Sequence, residues 1–184
     1  MTGKNQNILQ IQLNSHKNRN ALSRTLLDGL KAEIHRINST QEIRAAILLS
    51  AAPKYFCAGA DLKDPELGRE NMGALERRQS LLVGPDLCSA WEALEQITIA
   101  AIDGYCIGGG MALALACDWR VMGETSYFRL PEIPLGMNMS WQSIPRFSHL
   151  IGPSKTKQLL ILAEPLNAIA AEQWGLCDYV TPSG

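Results

Sequence analysis

The hydrophobic period of this chain changes twice within its first fifty residues, and that change narrows the folds open to it. Between Ile8 and Leu13, the apolar Leu9, Ile11 and Leu13 alternate with Gln10 and Gln12. That is the period-two pattern of a half-buried strand. After a polar loop over residues 14–20, Leu22, Leu26, Leu27, Leu30, Ile34 and Ile37 recur at helical spacing. Ser23 stands where an N-cap belongs, and Asn38-Ser39 where the helix ends. Residues 45–49 are then a short unbroken apolar run, as in a buried strand. Strand, helix and strand in that order predict an α/β fold.

The remainder keeps the same alternation. Residues 51–61, with Pro53, Gly59 and several small side chains, read as a loop. The stretch over residues 63–84 is the most charged part of the chain and is expected to be its most mobile. A helix is predicted over residues 85–96, with Pro85 at its first position and Leu87, Trp91 and Leu94 facing inward. Residues 97–102 form a strand, Asp103-Gly104 a turn and residues 105–107 an extended segment, before three glycines and an all-apolar helix over 111–117. Short strands follow at 119–122 and 126–128, helices at 141–150, 154–163 and 168–174, and an extended piece at 176–180. No solenoid period and no low-complexity linker interrupts this order, so one domain over residues 1–184 is expected.

Composition excludes several functional classes. With 184 residues, 46% hydrophobic and 19% charged, the chain can bury a core. Its formal net charge of −1 is mixed in sign along the chain and offers nothing to nucleic acid or an anionic membrane surface. Five cysteines, odd in number and without a C-x-x-C pair or a zinc-finger spacing, read as reduced thiols in a cytoplasmic compartment, with no metal site. The polar N-terminus lacks a signal-peptide pattern, and no run of 18 apolar residues suggests a spanning helix.

Three segments carry chemistry. Phe56-Cys57-Ala58-Gly59-Ala60-Asp61-Leu62 is a strand exit made of small residues. Asp103-Gly104-Tyr105-Cys106-Ile107-Gly108-Gly109-Gly110 runs from a strand through three glycines into a helix. Pro131-Glu132-Ile133-Pro134-Leu135-Gly136 sets one carboxylate among apolar neighbours. Glycines let a ligand approach the main chain closely, and a helix start aims unpaired N–H groups at it. That suits an oxygen that gains negative charge during reaction, and a second N–H from the Gly59-Ala60 turn would complete a two-donor oxyanion hole. Each segment also has a plain structural reading: a packing turn, a surface charge, a loop. The glycines do not make a G-x-G-x-x-G dinucleotide fingerprint.

Taken together and in order, the segments resemble the enoyl-CoA hydratase/isomerase (crotonase) family. The resemblance is carried by Asn20-Ala21-Leu22, F-C-A-G-A-D-L, I-A-A-I-D-G-Y-C-I-G-G-G, A-C-D and P-E-I-P-L-G, and by Glu172-x-x-Gly175-Leu176 with Asp178-Tyr179-Val180 near the end. It implies a crotonase-like spiral of ββα units, with two roughly perpendicular sheets surrounded by helices, assembled as a trimer or a dimer of trimers. By motif match, Ala60 and Gly109 would give their N–H groups to a thioester carbonyl, and Glu132 would move protons. Ala58 and Gly59 would lie near the adenine of an acyl-CoA substrate, and Asp61, Gly108 and Gly110 belong to the same substrate-binding motifs. No cofactor is implied, because coenzyme A is part of the substrate. The pathway class implied is fatty-acid or related acyl-CoA metabolism.

Two departures refine that expectation. Family hydratases carry a second glutamate two residues past the last glycine, and here the residue is Ala112. A single carboxylate leans toward isomerisation, in which one group carries a proton between carbons, with hydration through a substitute for the missing acid still open; a non-catalytic acyl-CoA-binding or oligomer-partner member is the alternative. The loop after Gly136, Met137-Asn138-Met139-Ser140-Trp141-Gln142, replaces the small residues usual there. Met139 and Trp141 are therefore expected either to fill core or to shape an acyl pocket. Lys63, Arg69, Arg77 and Arg78 are candidates to meet CoA phosphates, against the plainer reading of a solvated face. The chain also stops where C-terminal helices of the family would begin, which leaves a fragment or a different pocket closure as expectations.

Overall fold

The computed structural model describes residues 7–66 and 72–183. The chain opens with β1 (Ile8–Leu13), a single 3₁₀ turn at His16–Asn18 and α1 (Arg24–Ser39). The Ser23 side chain accepts a hydrogen bond from the Leu26 N–H, as the sequence predicts for an N-cap, and Leu27, Leu30, Ile34 and Ile37 form the buried face. Three strand–strand–helix units follow. They are β2 (Ala45–Ser50), β3 (Tyr55–Cys57) and α2 (Ala74–Glu92); β4 (Ile97–Ile102), β5 (Tyr105–Ile107) and α3 (Gly109–Leu115); and β6 (Trp119–Gly123), β7 (Tyr127–Arg129) and α4 (Ile144–Leu162). The two-residue β8 (Leu166–Asn167), α5 (Ala168–Trp174) and β9 (Tyr179–Thr181) end the described chain.

Each unit sends its first strand to one sheet and its second to another. The larger sheet has the order β1-β2-β4-β6-β9 and is parallel throughout. The smaller has the order β3-β5-β7-β8, parallel except for the last pair. This is the α/β spiral of ββα units expected from the sequence. Residues of α3 are buried along its whole length, as an all-apolar helix requires. Trp91, Phe56, Phe128 and Phe147 are the largest fully buried side chains around it. A buried Arg120 ties β6 to the final segment through hydrogen bonds to the Leu176 and Cys117 carbonyls and the Asp178 carboxylate.

Four local readings need correction. The helix expected at residues 85–96 begins eleven residues earlier, and Pro85 lies inside it. Proline removes one i→i−4 bond and its ring crowds the carbonyl four residues back and the N–H and Cβ of its predecessor. The predecessor is Gly84, which has no Cβ and so relieves part of that crowding, and the helix continues through Pro85. The charged stretch read as mobile therefore supplies the first half of α2, and its Arg69 lies outside the described residues. The loop read at residues 51–61 contains β3, and β8 was not foreseen. The helices read at 141–150 and 154–163 start later and merge into α4, with a break at Gly152 (φ +73, ψ +164) where they were expected to part.

All five cysteines are free and buried. Burial pushes the Cys57, Cys88 and Cys117 thiols up to about 12, so they pack as small apolar groups rather than as nucleophiles.

Candidate functional site

The three chemical segments leave the sheet at one end. β3, β5 and β7 are adjacent and parallel, so their C-terminal ends face the same way. Residues 58–61 follow β3 directly, Gly108 follows β5 directly, and Glu132 comes three residues after β7. The Gly108 N–H donates to the Arg129 carbonyl and locks the last two exits together.

Residues 58–61 are held from behind by the loop that precedes α1. Asn20, fully buried at φ +55, accepts from the Ser15 N–H and donates to the Ser50 hydroxyl and the Phe56 carbonyl. The Ala58 N–H donates to the Arg19 carbonyl, and the Leu22 N–H to the Gly59 carbonyl at 2.7 Å. The Asp61 N–H donates to the Leu22 carbonyl, which makes Ala60 the partner of Leu22 in a parallel bridge. Extended backbone alternates its hydrogen-bonding edges, so the Ala60 N–H points to the side away from Leu22. No hydrogen-bond partner for that N–H, or for the Gly109 N–H at the start of α3, is found among the described residues.

Gly59 brings the two exits together. It has φ +95, and a Cβ placed on it would lie 3.0 Å from the Ile107 carbonyl oxygen and 3.7 Å from the Gly109 nitrogen. Gly108 has φ +51 and ψ −119, the geometry of the first central residue of a type II′ turn and one suited to glycine. Gly110 differs from its neighbours. A Cβ there would meet Cys57 Cβ at 2.6 Å, so this glycine lets α3 pack on β3 and is absent from the cavity lining.

Glu132 closes the arrangement. It begins a tight turn in which its carbonyl accepts from the Leu135 and Met137 N–H groups. One carboxylate oxygen, Oε1, rests over Gly108, 2.6 Å from where a Cβ would stand. The other, Oε2, is buried with no hydrogen-bond partner among the described residues. Desolvation raises the Glu132 pKa above its ordinary value of 4.5, and a hydrogen bond from its own backbone offsets part of that shift.

These groups surround a cavity of about 250 Å³. Ala58, Gly59, Ala60 and Asp61 form one side, Gly108 and Gly109 another, and Glu132, Met139 and Trp141 a third. Asp61 is already engaged, accepting from the Asn18 side chain and the Lys63 N–H. Ala112 is fully buried inside α3 and does not line the cavity. Sequence reasoning did not single out the contribution of α1 and α2, through Leu27, Ser80, Leu81 and Gly84. For Gly84 the only local signal was its place before Pro85. The cations named as candidates for CoA phosphates that lie among the described residues, Lys63, Arg77 and Arg78, are exposed and outside the lining. Among the described residues no cluster of three His, Cys, Asp or Glu could hold a metal, and no helix is long and apolar enough to cross a membrane.

Two unpartnered main-chain N–H groups beside one desolvated carboxylate can polarise a carbonyl and exchange a proton with the carbon next to it. Residues 3–184 match the family described as enoyl-CoA hydratase/isomerase. The chain is 33% identical over 184 residues to a probable mitochondrial enoyl-CoA hydratase 2 of Arabidopsis thaliana, covering all of this chain and 60% of that protein. It is 32% identical over 177 residues to a crotonyl-CoA hydratase of Syntrophomonas wolfei, covering 96% of this chain and 66% of that one. A crystal structure of an enoyl-CoA hydratase from Bacillus anthracis superposes with a TM-score of 0.88 at 34% identity, covering 96% of this chain and 67% of that one. The chain thus spans about three fifths to two thirds of the length of these relatives.

Proposed function

Because this chain belongs to the enoyl-CoA hydratase/isomerase family, we propose that its cavity takes the thioester end of an enoyl-CoA, with Glu132 as the one proton carrier. The Ala60 and Gly109 N–H groups would hold the thioester oxygen, and Ala58 and Gly59 would flank the CoA moiety. Polarising that carbonyl acidifies the α-carbon. Glu132 removes the α-proton of a 3-enoyl-CoA, the two N–H groups carry the enolate charge, and the protonated carboxyl returns the proton at the γ-carbon. The product is the 2-enoyl-CoA. Each N–H donor contributes about 3 kcal/mol to such a transition state.

The observation that carries this reading is the buried, unpartnered Oε2 of Glu132. A carboxylate held ready in this way, with its pKa raised by desolvation, is suited to gain and lose a proton within one turnover. Hydration calls for a second group to activate water. The other carboxylate on the lining, Asp61, is committed to Asn18 and Lys63, and the residue in α3 where family hydratases carry glutamate is alanine. This favours isomerisation over hydration.

Assay of 3-enoyl-CoA and 2-enoyl-CoA side by side tests the assignment. Turnover of the 3-enoyl substrate should disappear in Glu132→Gln. Hydration of the 2-enoyl substrate that survives this change would mean another base. CoA-ester binding with no turnover of either would favour a binding member of the family. Family membership also supports a homo-oligomer, a trimer or a dimer of trimers, which sedimentation reads directly. Five free thiols suit a reducing compartment such as the cytoplasm.

A further inference from the structure

Trp141 occupies a notch between two helices. A Cβ on Gly84, in the middle of α2, would meet the indole Cε2 at 2.5 Å, and one on Gly109, the first residue of α3, would meet Cζ2 at 3.0 Å. The ring therefore lies directly on two bare α-carbons, and any larger residue at either position would displace it. Immediately after it the chain turns at Gln142 with φ +52, a conformation that costs a non-glycine residue energy and fixes the direction in which the indole is presented.

The position of this wall matters because Gly109 is also the N–H donor proposed for the thioester carbonyl. On that reading, an acyl group running from the carbonyl toward α2 would meet the indole within its first few carbons. Space beyond is small. The whole cavity is about 250 Å³, whereas roughly 150 Å³ is needed for a single benzene. Shared with the end of the pantetheine arm, that leaves room for an acyl group of about four to six carbons on the same scale.

We propose that Trp141, seated on Gly84 and Gly109, is the end wall of the acyl chamber and restricts the protein to short-chain acyl-CoA esters. This rests on the acyl-CoA reading above, and the test separates the two. Saturated butyryl-CoA and decanoyl-CoA do not react, so calorimetric titration with each reads the wall without requiring turnover. The natural chain should bind the butyryl ester at least tenfold more tightly than the decanoyl ester. Trp141→Ala should shift that ratio at least tenfold toward decanoyl, and Trp141→Phe should shift it less. Gly84→Ala should push the indole into the chamber and weaken both esters.

Equal affinities in the natural chain, or a ratio unchanged in both Trp141 variants, would overturn the wall while leaving the acyl-CoA reading intact. Absence of binding by either ester would overturn the acyl-CoA reading and the wall with it. If Trp141→Ala does not fold, as judged by circular dichroism, the Trp141→Phe ratio decides.

Discussion

Glu132 and Gly108 are packed as one unit: the carboxylate Oε1 sits over the glycine α-carbon, 2.6 Å from the place a Cβ would take. The turn that presents the Gly109 N–H and the carboxylate proposed to move the proton are therefore positioned by each other. Replacing Gly108 with alanine would strain a backbone at φ +51, ψ −119 and drive the carboxylate off its seat. We expect Gly108→Ala to lose about 1–3 kcal/mol of stability, read by urea denaturation. Turnover should fall at least tenfold more than the stability loss alone explains.

The raised pKa of Glu132 sets the sign of two pH effects. As a base, the carboxylate must be ionised, so the rate on a 3-enoyl-CoA should climb with pH through a midpoint above 4.5. Stability runs the other way. Between the unfolded value near 4.5 and the higher folded value, the folded chain binds more proton than the unfolded one. Its stability therefore declines across that window as pH rises, then levels off. Glu132→Gln removes this term, so the variant should gain on the natural protein through the window and stay ahead above it. Urea midpoints at a series of pH values measure the difference, and parallel curves would be incompatible with a desolvated carboxylate.

Asn20 supports the other half of the site from behind. Its side chain serves three partners on three segments, Ser15, Ser50 and Phe56. Truncation to alanine takes the partner from a buried Phe56 carbonyl and a part-buried Ser15 N–H and frees one bond of the Ser50 hydroxyl. The expected loss is about 2–4 kcal/mol, with a rise in KM because residues 58–61 are no longer braced. A KM unchanged in folded Asn20→Ala would show that the loop holds its shape without this brace.

Thiol chemistry offers a check on packing. With burial raising Cys57, Cys88 and Cys117 to about 12, a disulfide reagent at pH 8 should find these thiols unreactive in the native protein. All three should become titratable in denaturant. Rapid labelling of any of them under native conditions would contradict the packing of β3, α2 or the end of α3.

Much of this was legible in the sequence because short-range rules were obeyed where they apply. The period change between Leu13 and Leu22, the cap at Ser23 and the glycines after Ile107 each report a local backbone requirement, and each element formed where its signal lay. The carboxylate in P-E-I could be picked out because its apolar neighbours are adjacent in sequence. The start of α2 was hidden because Pro85 reads locally as a helix start, while the missing Cβ of Gly84 eases only part of the crowding that proline brings to a helix interior. The partnership of Trp141 with Gly84 and Gly109 could not be read at all, since it joins residues far apart in the chain through the shape they leave. Gly110 shows the converse: it sits inside a recognisable motif, yet its small size serves the contact with Cys57.

Because the chemical segments hang from three neighbouring parallel strands, each is a separate terminal fitting on a common frame. Exchanging the stretch after β7 alone would replace the carboxylate and the indole proposed as proton carrier and chamber wall, while the main-chain N–H groups after β3 and β5 stayed in register. Such a scaffold lets one attachment change at a time, with the proposed thioester grip left in place.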